Sequence, residues 1–194
     1  MSTVFIGSSP RLEAVFEDKP SSMCAVITHP HSLMGGNMYN NVVMAAWDTA
    51  IRNGCSALRF NFRGVGSSEG KFDNGIGEIA DLCEAVRFAG RPVFIIGYSF
   101  GAWVASRFIQ ETDVPCIFIS PPTAMFPFPD LRKSDVWAVT GSRDQFSSQP
   151  SLLNVLDEDR ITLVNGADHF WFGDEDQLML YLKNKIEFIR SALH

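Results

Sequence analysis

Arg91-Pro92-Val93-Phe94-Ile95-Ile96-Gly97-Tyr98-Ser99-Phe100-Gly101 is the stretch whose reading decides the fold. Val93 to Ile96 is a short apolar run, as expected of a strand buried on both faces. Gly-Tyr-Ser-Phe-Gly follows, and Ala102 to Gln110 then reads as a helix. A strand, a tight turn around a serine and a helix are the context in which G-x-S-x-G acquires chemical meaning. Bulk at either glycine would collide with the neighbouring strand or helix, and Ser99 is expected in a strained conformation that exposes its hydroxyl. The pattern alone is weak, because chance supplies about 0.1 such matches in a chain of this length and composition. A second match, Gly66-Ser67-Ser68-Glu69-Gly70, runs into Lys71-Phe72-Asp73-Asn74-Gly75, which starts no helix. It reads as a glycine-rich loop.

Working outward, Val4-Phe5-Ile6 and Arg11 to Glu17 flank Gly7-Ser8-Ser9-Pro10 and predict two antiparallel strands. Ala25 to Thr28 is the first fully buried strand and ends at His29-Pro30-His31. Asn40 is placed to cap a helix carrying Val43, Ala46, Trp47, Ala50 and Ile51, with Gly54 to stop it. Ala57 to Phe62 predicts the next strand; Ile76, Ile79, Ala80, Cys83 and Val86 predict the apolar face of a second helix. Beyond the central stretch come strands at Cys116 to Ile119, Asp135 to Thr140 and Ile161 to Val164, with a short helix at Ser151 to Leu156. A last helix is marked by Leu178, Leu182, Ile186, Ile189 and Leu193. This alternation implies an α/β fold: a mostly parallel sheet of about eight strands, helices on both faces, right-handed crossovers, and a single domain over 1–194.

The bulk properties exclude several classes. The chain has 194 residues, 46% of them apolar and 20% charged, long enough for a large core without disulfides. A net charge of −6 argues against a nucleic-acid surface. No apolar run approaches a membrane span, and Met1 to Pro10 lacks the basic and apolar segments of a secretory signal. Cys24, Cys55, Cys83 and Cys116 show no C-x-x-C spacing and read as buried free thiols, so a cytoplasmic location is expected.

Ligands of open α/β sheets bind beyond the carboxyl ends of the strands. The His29-Pro30-His31 loop, Ser99, Asp144 and His169 all fall there. A serine hydroxyl needs a base to take its proton, and histidine suits that near neutral pH. A carboxylate must then fix the imidazole tautomer and stabilise the imidazolium. Of the four histidines, His194 is terminal and His29 and His31 precede the serine, which leaves His169 as the base in Ser–Asp–His order. Asp144 and Asp168 could each be a turn-former, but Asp144 sits just after a predicted strand with Gly141 behind it and is preferred over other acids for the carboxylate role. His29 and His31 could be metal ligands, but too few further ligands accompany them, and no metal or cofactor is expected. Gly64-Val65-Gly66 fails the dinucleotide spacing, and Arg63 reads as an ion-pair partner or loop anchor.

His29-Pro30-His31 with Gly35-Gly36, Phe62-Arg63-Gly64-Val65-Gly66, Gly97-Tyr98-Ser99-Phe100-Gly101, Gly141-Ser142-Arg143-Asp144 and Gly166-Ala167-Asp168-His169 together resemble the α/β-hydrolases. The likeness runs from Val4 to the last helix, and is closest to small lidless bacterial serine hydrolases. The resemblance implies Ser99 as nucleophile, His169 as general base and then acid, and Asp144 as the orienting acid. It also implies an oxyanion hole made by the Phe100 N–H and one N–H from the loop after His29. Pro30 stands where a glycine is common and has no N–H, so His31, Ser32 or Leu33 must donate, with Ser32 and Leu33 preferred.

The 15 residues from Ser120 to Ser134, where relatives carry a lid, are too few for a cap domain. An open site is expected, walled by His31, Phe126, Phe128, Phe170 and Trp171, some of which could instead belong to the core. The expected activity is hydrolysis of a small-molecule carboxylic ester or thioester with a short to medium acyl group, by a monomer or homodimer. The rival readings are a non-catalytic binding or scaffold member of the fold, and an acyltransferase or peptidase using the same residues.

Overall fold

In the computed structural model, which describes residues 3–192, eight strands form one sheet in the order β1-β2-β4-β3-β5-β6-β7-β8. The strands are β1 (Thr3–Ile6), β2 (Leu12–Glu17), β3 (Cys24–Thr28), β4 (Ser56–Phe60), β5 (Val93–Tyr98), β6 (Cys116–Ile119), β7 (Val136–Gly141) and β8 (Ile161–Val164). β2 runs antiparallel to both β1 and β4, and every other neighbouring pair is parallel. Every residue of β3 to β7 is buried, which explains why these strands are apolar runs rather than alternations. The edge strands β1 and β8, and part of β2, stay partly exposed.

Helices α1 (Asn41–Arg52) and α5 (Glu175–Ala192) cover one face; α2 (Ile76–Ala89) and α3 (Phe100–Phe108) cover the other. The period of two along β5 sends Val93 and Ile95 to the α2–α3 side, and Phe94, Ile96 and Tyr98 to the α1–α5 side. Trp47 and Val43 of α1 meet Leu178, Leu182, Ile186 and Ile189 of α5. Leu193 and His194 lie outside the described residues. Asn40 caps α1 as its position predicts, accepting the Val42 N–H at 3.0 Å.

α2 departs in part from the expected face: Ile79, Cys83 and Val86 pack half-buried against the core, but Ile76 and Ala80 do not. Ile76 is 68% exposed and Ala80 is also exposed, while Glu78, Asp81, Leu82, Ala85 and Ala89 are buried. The helix turns because its two acids have partners inside. Asp81 takes Arg63 through Nη2 at 2.7 Å and the Arg63 backbone N–H at 2.9 Å. Glu78 accepts the N–H groups of Asp73 (2.9 Å) and Gly75 (2.8 Å) at the helix start. A scale of hydrophobicity cannot foresee carboxylates that are matched this way. α4 (Gln149–Leu152) starts two residues before the expected Ser151 and ends well short of Leu156. Its start is set by the Ser148 side chain, which accepts the Ser151 N–H at 3.3 Å.

Between β6 and β7 the chain forms no helix and is pinned by the Trp103 indole, which donates to the Pro127 carbonyl at 2.9 Å. The fold therefore has no lid. No helix among the described residues is long and apolar enough to cross a membrane.

Candidate active site

The chain leaves β3 for β4 on one side and returns to β5 on the other, so a crevice opens between β3 and β5 at their carboxyl ends. Ser99 sits there, between β5 and the first turn of α3, at φ 52° and ψ −119°. A side chain rarely holds that conformation unless its surroundings impose it. They do: a Cβ at Gly97 would lie 2.7 Å from the Ala102 Cα, and one at Gly101 would lie 2.8 Å from the His29 carbonyl oxygen. The turn closes through the Ser99 carbonyl, which accepts the Ala102 N–H at 2.9 Å.

Two loops bring the other groups to Ser99. Beyond β7, the Ser142 N–H donates to the Val164 carbonyl (2.9 Å) and the Arg143 N–H to that of Ala167 (3.0 Å). Loop after β7 and loop after β8 are thus laced together, which sets Asp144 opposite His169. Asp168 shapes its turn and makes no hydrogen bond to the imidazole: its carboxylate accepts the N–H groups of Phe170 (2.8 Å) and Trp171 (3.1 Å). Asp144 faces the imidazole instead. His169 Nδ1 lies 2.9 Å from Asp144 Oδ2 and 3.0 Å from Oδ1, and His169 Nε2 lies 3.0 Å from Ser99 Oγ. The three residues are 7–8% exposed, so the relay is shielded yet open to solvent at its mouth.

The Asp144 carboxylate is well supplied with donors: the N–H groups of Phe146 (2.9 Å) and Ser147 (3.0 Å) and the Thr140 hydroxyl (3.1 Å). Burial pushes this carboxyl up, but the hydrogen bond and charge of His169, with help from Ser120 and the Phe146 N–H, hold it below the usual carboxylate range. An ionised carboxylate accepts from Nδ1–H and leaves Nε2 free to accept the serine proton.

Next to Ser99 lies a cavity of about 180 Å³ lined by His31, Met34, Tyr98, Phe100, Met125, Phe126, Phe146 and Phe170. Of the expected wall residues, His31, Phe126 and Phe170 line it. Trp171 does not: it is fully buried, and its indole donates to the Ser120 hydroxyl at 3.0 Å. Phe128 does not either, since it packs edge-on to Phe118 at 6.4 Å in the core under α3. Met34, Tyr98 and Phe146 were missed. Phe146 stood two residues past Asp144 in the same turn, and Tyr98 was inside the central motif, so sequence position marked both; nothing marked Met34.

The loop after β3 places the two expected oxyanion donors away from the cavity. The Leu33 N–H is spent on the His31 Nδ1 at 3.2 Å, inside a short 3₁₀ turn over Ser32–Met34. Neither Ser32 nor Leu33 borders the cavity, whereas Pro30 and His31 do. The Phe100 N–H opens α3 and is among those a helix leaves without an internal partner.

His29 has no lone pair for a metal. Its Nε2 accepts the Phe62 N–H at 3.0 Å, so Nδ1 carries the proton and donates to the Pro30 carbonyl at 2.6 Å. No cluster of three or more side chains suited to hold a metal occurs among the described residues. Arg63 anchors the loop after β4 through Asp81, and Ser68, the centre of the second G-x-S-x-G match, bonds the Asn61 carbonyl (2.7 Å) and the Glu13 N–H (2.9 Å). Both are structural.

A sheet of this order with a serine on the β5–α3 turn defines an α/β hydrolase, and comparison with known proteins agrees. The chain belongs to the alpha/beta hydrolase family, whose model matches residues 29–185. An uncharacterized protein of Rickettsia prowazekii is 32% identical, over 98% of this chain and 90% of that protein. Two solved structures overlay nearly the whole chain. An alpha-beta serine hydrolase homologue from Coxiella burnetii has TM-score 0.85 and 28% identity, covering 95% of this chain and 96% of its own. A serine hydrolase without lid from Xanthomonas campestris has TM-score 0.85 and 29% identity, covering 96% and 93%.

Proposed function

We propose that this protein is a serine hydrolase that cleaves carboxylic ester or thioester bonds through an acyl-enzyme, with Ser99 as nucleophile. One observation carries the reading: Ser99 Oγ, His169 and Asp144 form an unbroken line of 3.0 and 2.9 Å contacts at the mouth of an apolar cavity. Ser99 Oγ attacks the carbonyl carbon as its proton passes to His169 Nε2, and Asp144 stabilises the imidazolium. The tetrahedral oxyanion is held by the Phe100 N–H and by the backbone N–H of His31, the first amide beyond Pro30 and part of a residue that lines the cavity. Collapse breaks the bond to the alcohol or thiol, which leaves with the proton from His169. Water then attacks the acyl-enzyme, giving its proton to His169, and the carboxylic acid departs as Ser99 regains its hydrogen.

The cavity suits a short acyl group: about 180 Å³ is little more than a volume that admits one benzene ring, and its walls are chiefly aromatic. The test is labelling by a fluorophosphonate probe beside turnover of 4-nitrophenyl acetate. Wild-type protein is expected to react at Ser99 and to hydrolyse the ester; Ser99→Ala should do neither while keeping its fold. Full turnover in a clean Ser99→Ala preparation would overturn the assignment, and an unreactive wild type would favour a non-catalytic member of the fold.

A further inference from the structure

Of the side chains that line the cavity, Ser99 and His169 belong to the relay and most of the rest are apolar. Tyr98 spends its hydroxyl on the His169 carbonyl at 3.0 Å, and Asn40 spends its Oδ1 on the cap of α1. Two polar ends of lining residues have no partner among the described residues: the Asn40 side-chain amide nitrogen and the His31 Nε2.

His31 is the one whose chemical state the structure fixes. Its Nδ1 accepts the Leu33 N–H at 3.2 Å, so in the neutral ring Nε2 carries the proton and can only donate. The ring is half-buried among Phe72, Phe100 and Phe126, with centroids 4.9, 4.8 and 6.3 Å away. That burial holds its pKa below the usual histidine value, against the pull of the Glu78 carboxylate. Nε2 itself is not shut off from solvent. A ligand that fills the cavity takes water away from this N–H, and the loss goes uncompensated unless the ligand brings an acceptor.

The place of the ring says which half of the substrate it meets. His169 hands its proton to the leaving group, so the alcohol or thiol lies beside the imidazole, where Phe146 stands at 4.8 Å and Phe170 at 5.6 Å. The His31 ring packs with neither of these. It packs with Phe100 and Phe126, the other aromatic wall, which leaves that wall to the acyl group.

The geometry points to His31 as the residue that selects the acyl group: its Nε2–H donates to an oxygen carried along the acyl chain. The preferred substrates are then esters or thioesters of short acids bearing an ether, hydroxyl or carbonyl oxygen, rather than of plain alkanoic acids. The inference rests on the hydrolytic reading above.

The test compares kcat/KM for 4-nitrophenyl methoxyacetate and 4-nitrophenyl butyrate, whose acyl groups differ by an oxygen in place of a methylene. The two esters differ in intrinsic reactivity, so the quantity read is the change in their ratio between wild type and variant. His31→Asn keeps an oxygen in the place of Nδ1 for the Leu33 N–H but has no N–H in the place of Nε2, and its ratio should fall about fivefold. His31→Gln carries an amide to the place of Nε2 and lacks the Nδ1 acceptor, so its ratio should stay within about twofold of wild type even if both rates fall. An unchanged ratio in His31→Asn would overturn the inference. Equal falls of the ratio in both variants would overturn it too, since the ring and not its N–H would then be at work. If His31→Asn fails to fold, His31→Phe, which keeps the aromatic packing and lacks the donor, decides by the same ratio. A wild type that cleaves neither ester sinks the hydrolytic reading and this inference with it, whereas cleavage of both at a ratio the variants leave alone sinks the inference only.

Discussion

Acid should weaken this protein through His29, by an amount the structure allows to be worked out. The imidazole is fully buried at the end of β3, with both nitrogens bonded in the neutral form. Burial pushes its pKa from 6.5 down to about 4, against an opposing bond to the Pro30 carbonyl. The unfolded chain therefore binds a proton as pH falls through 6.5, while the folded chain does not until about 4. A lowered histidine pKa means lost stability on acidification, starting below 6.5 and complete near 4. At about 1.4 kcal/mol per unit, the loss at pH 5 relative to pH 8 comes to about 2 kcal/mol. Protonation also ends the acceptance of the Phe62 N–H, which ties down the loop bearing Pro30 and His31 beside the cavity. The assay is urea unfolding of wild type and His29→Gln at pH 8 and pH 5. Glutamine supplies an oxygen for the Phe62 N–H and cannot titrate, so it should be less stable than wild type at pH 8, with the gap narrowing by about 2 kcal/mol at pH 5. A gap that stays constant between the two pH values would refute the reasoning.

Other perturbations have equally definite outcomes. Asp144→Asn should lower kcat by about 10³- to 10⁴-fold with little change in KM, because the amide favours the wrong imidazole tautomer and leaves the imidazolium unsupported; steady-state kinetics on an activated ester would show it, and an unaltered kcat would mean another acid serves. Arg63→Ala leaves the Asp81 side chain, 1% exposed, without its cation, and should cost about 3 kcal/mol in a urea titration. A loss under about 1 kcal/mol would mean that water or another donor takes over.

Much of the architecture was legible because it follows from local rules. Buried parallel strands are continuous apolar runs, as at Val93–Ile96, and Asn40 caps α1 wherever the helix ends up. Gly97 and Gly101 announce a turn that no side chain could enter, so the order Ser99, Asp144, His169 could be read along the chain. The cavity walls were less legible, since Phe126 and Phe128 stand two apart in one proline-rich segment, and only packing sends the first to the cavity and the second against Phe118.

What the amino-acid sequence determined by itself, then, was the succession of strands and helices, the serine turn and the kinds of side chain available beyond the strands. Tertiary structure alone decided which way α2 turns, that Phe128 packs against Phe118 rather than the cavity, and that Trp171 looks inward to Ser120. The reason is physical: backbone propensity and hydrophobic period act over a few residues. A buried carboxylate or indole, in contrast, settles where a partner from a distant loop can satisfy it, and that partner is fixed only once the sheet has closed.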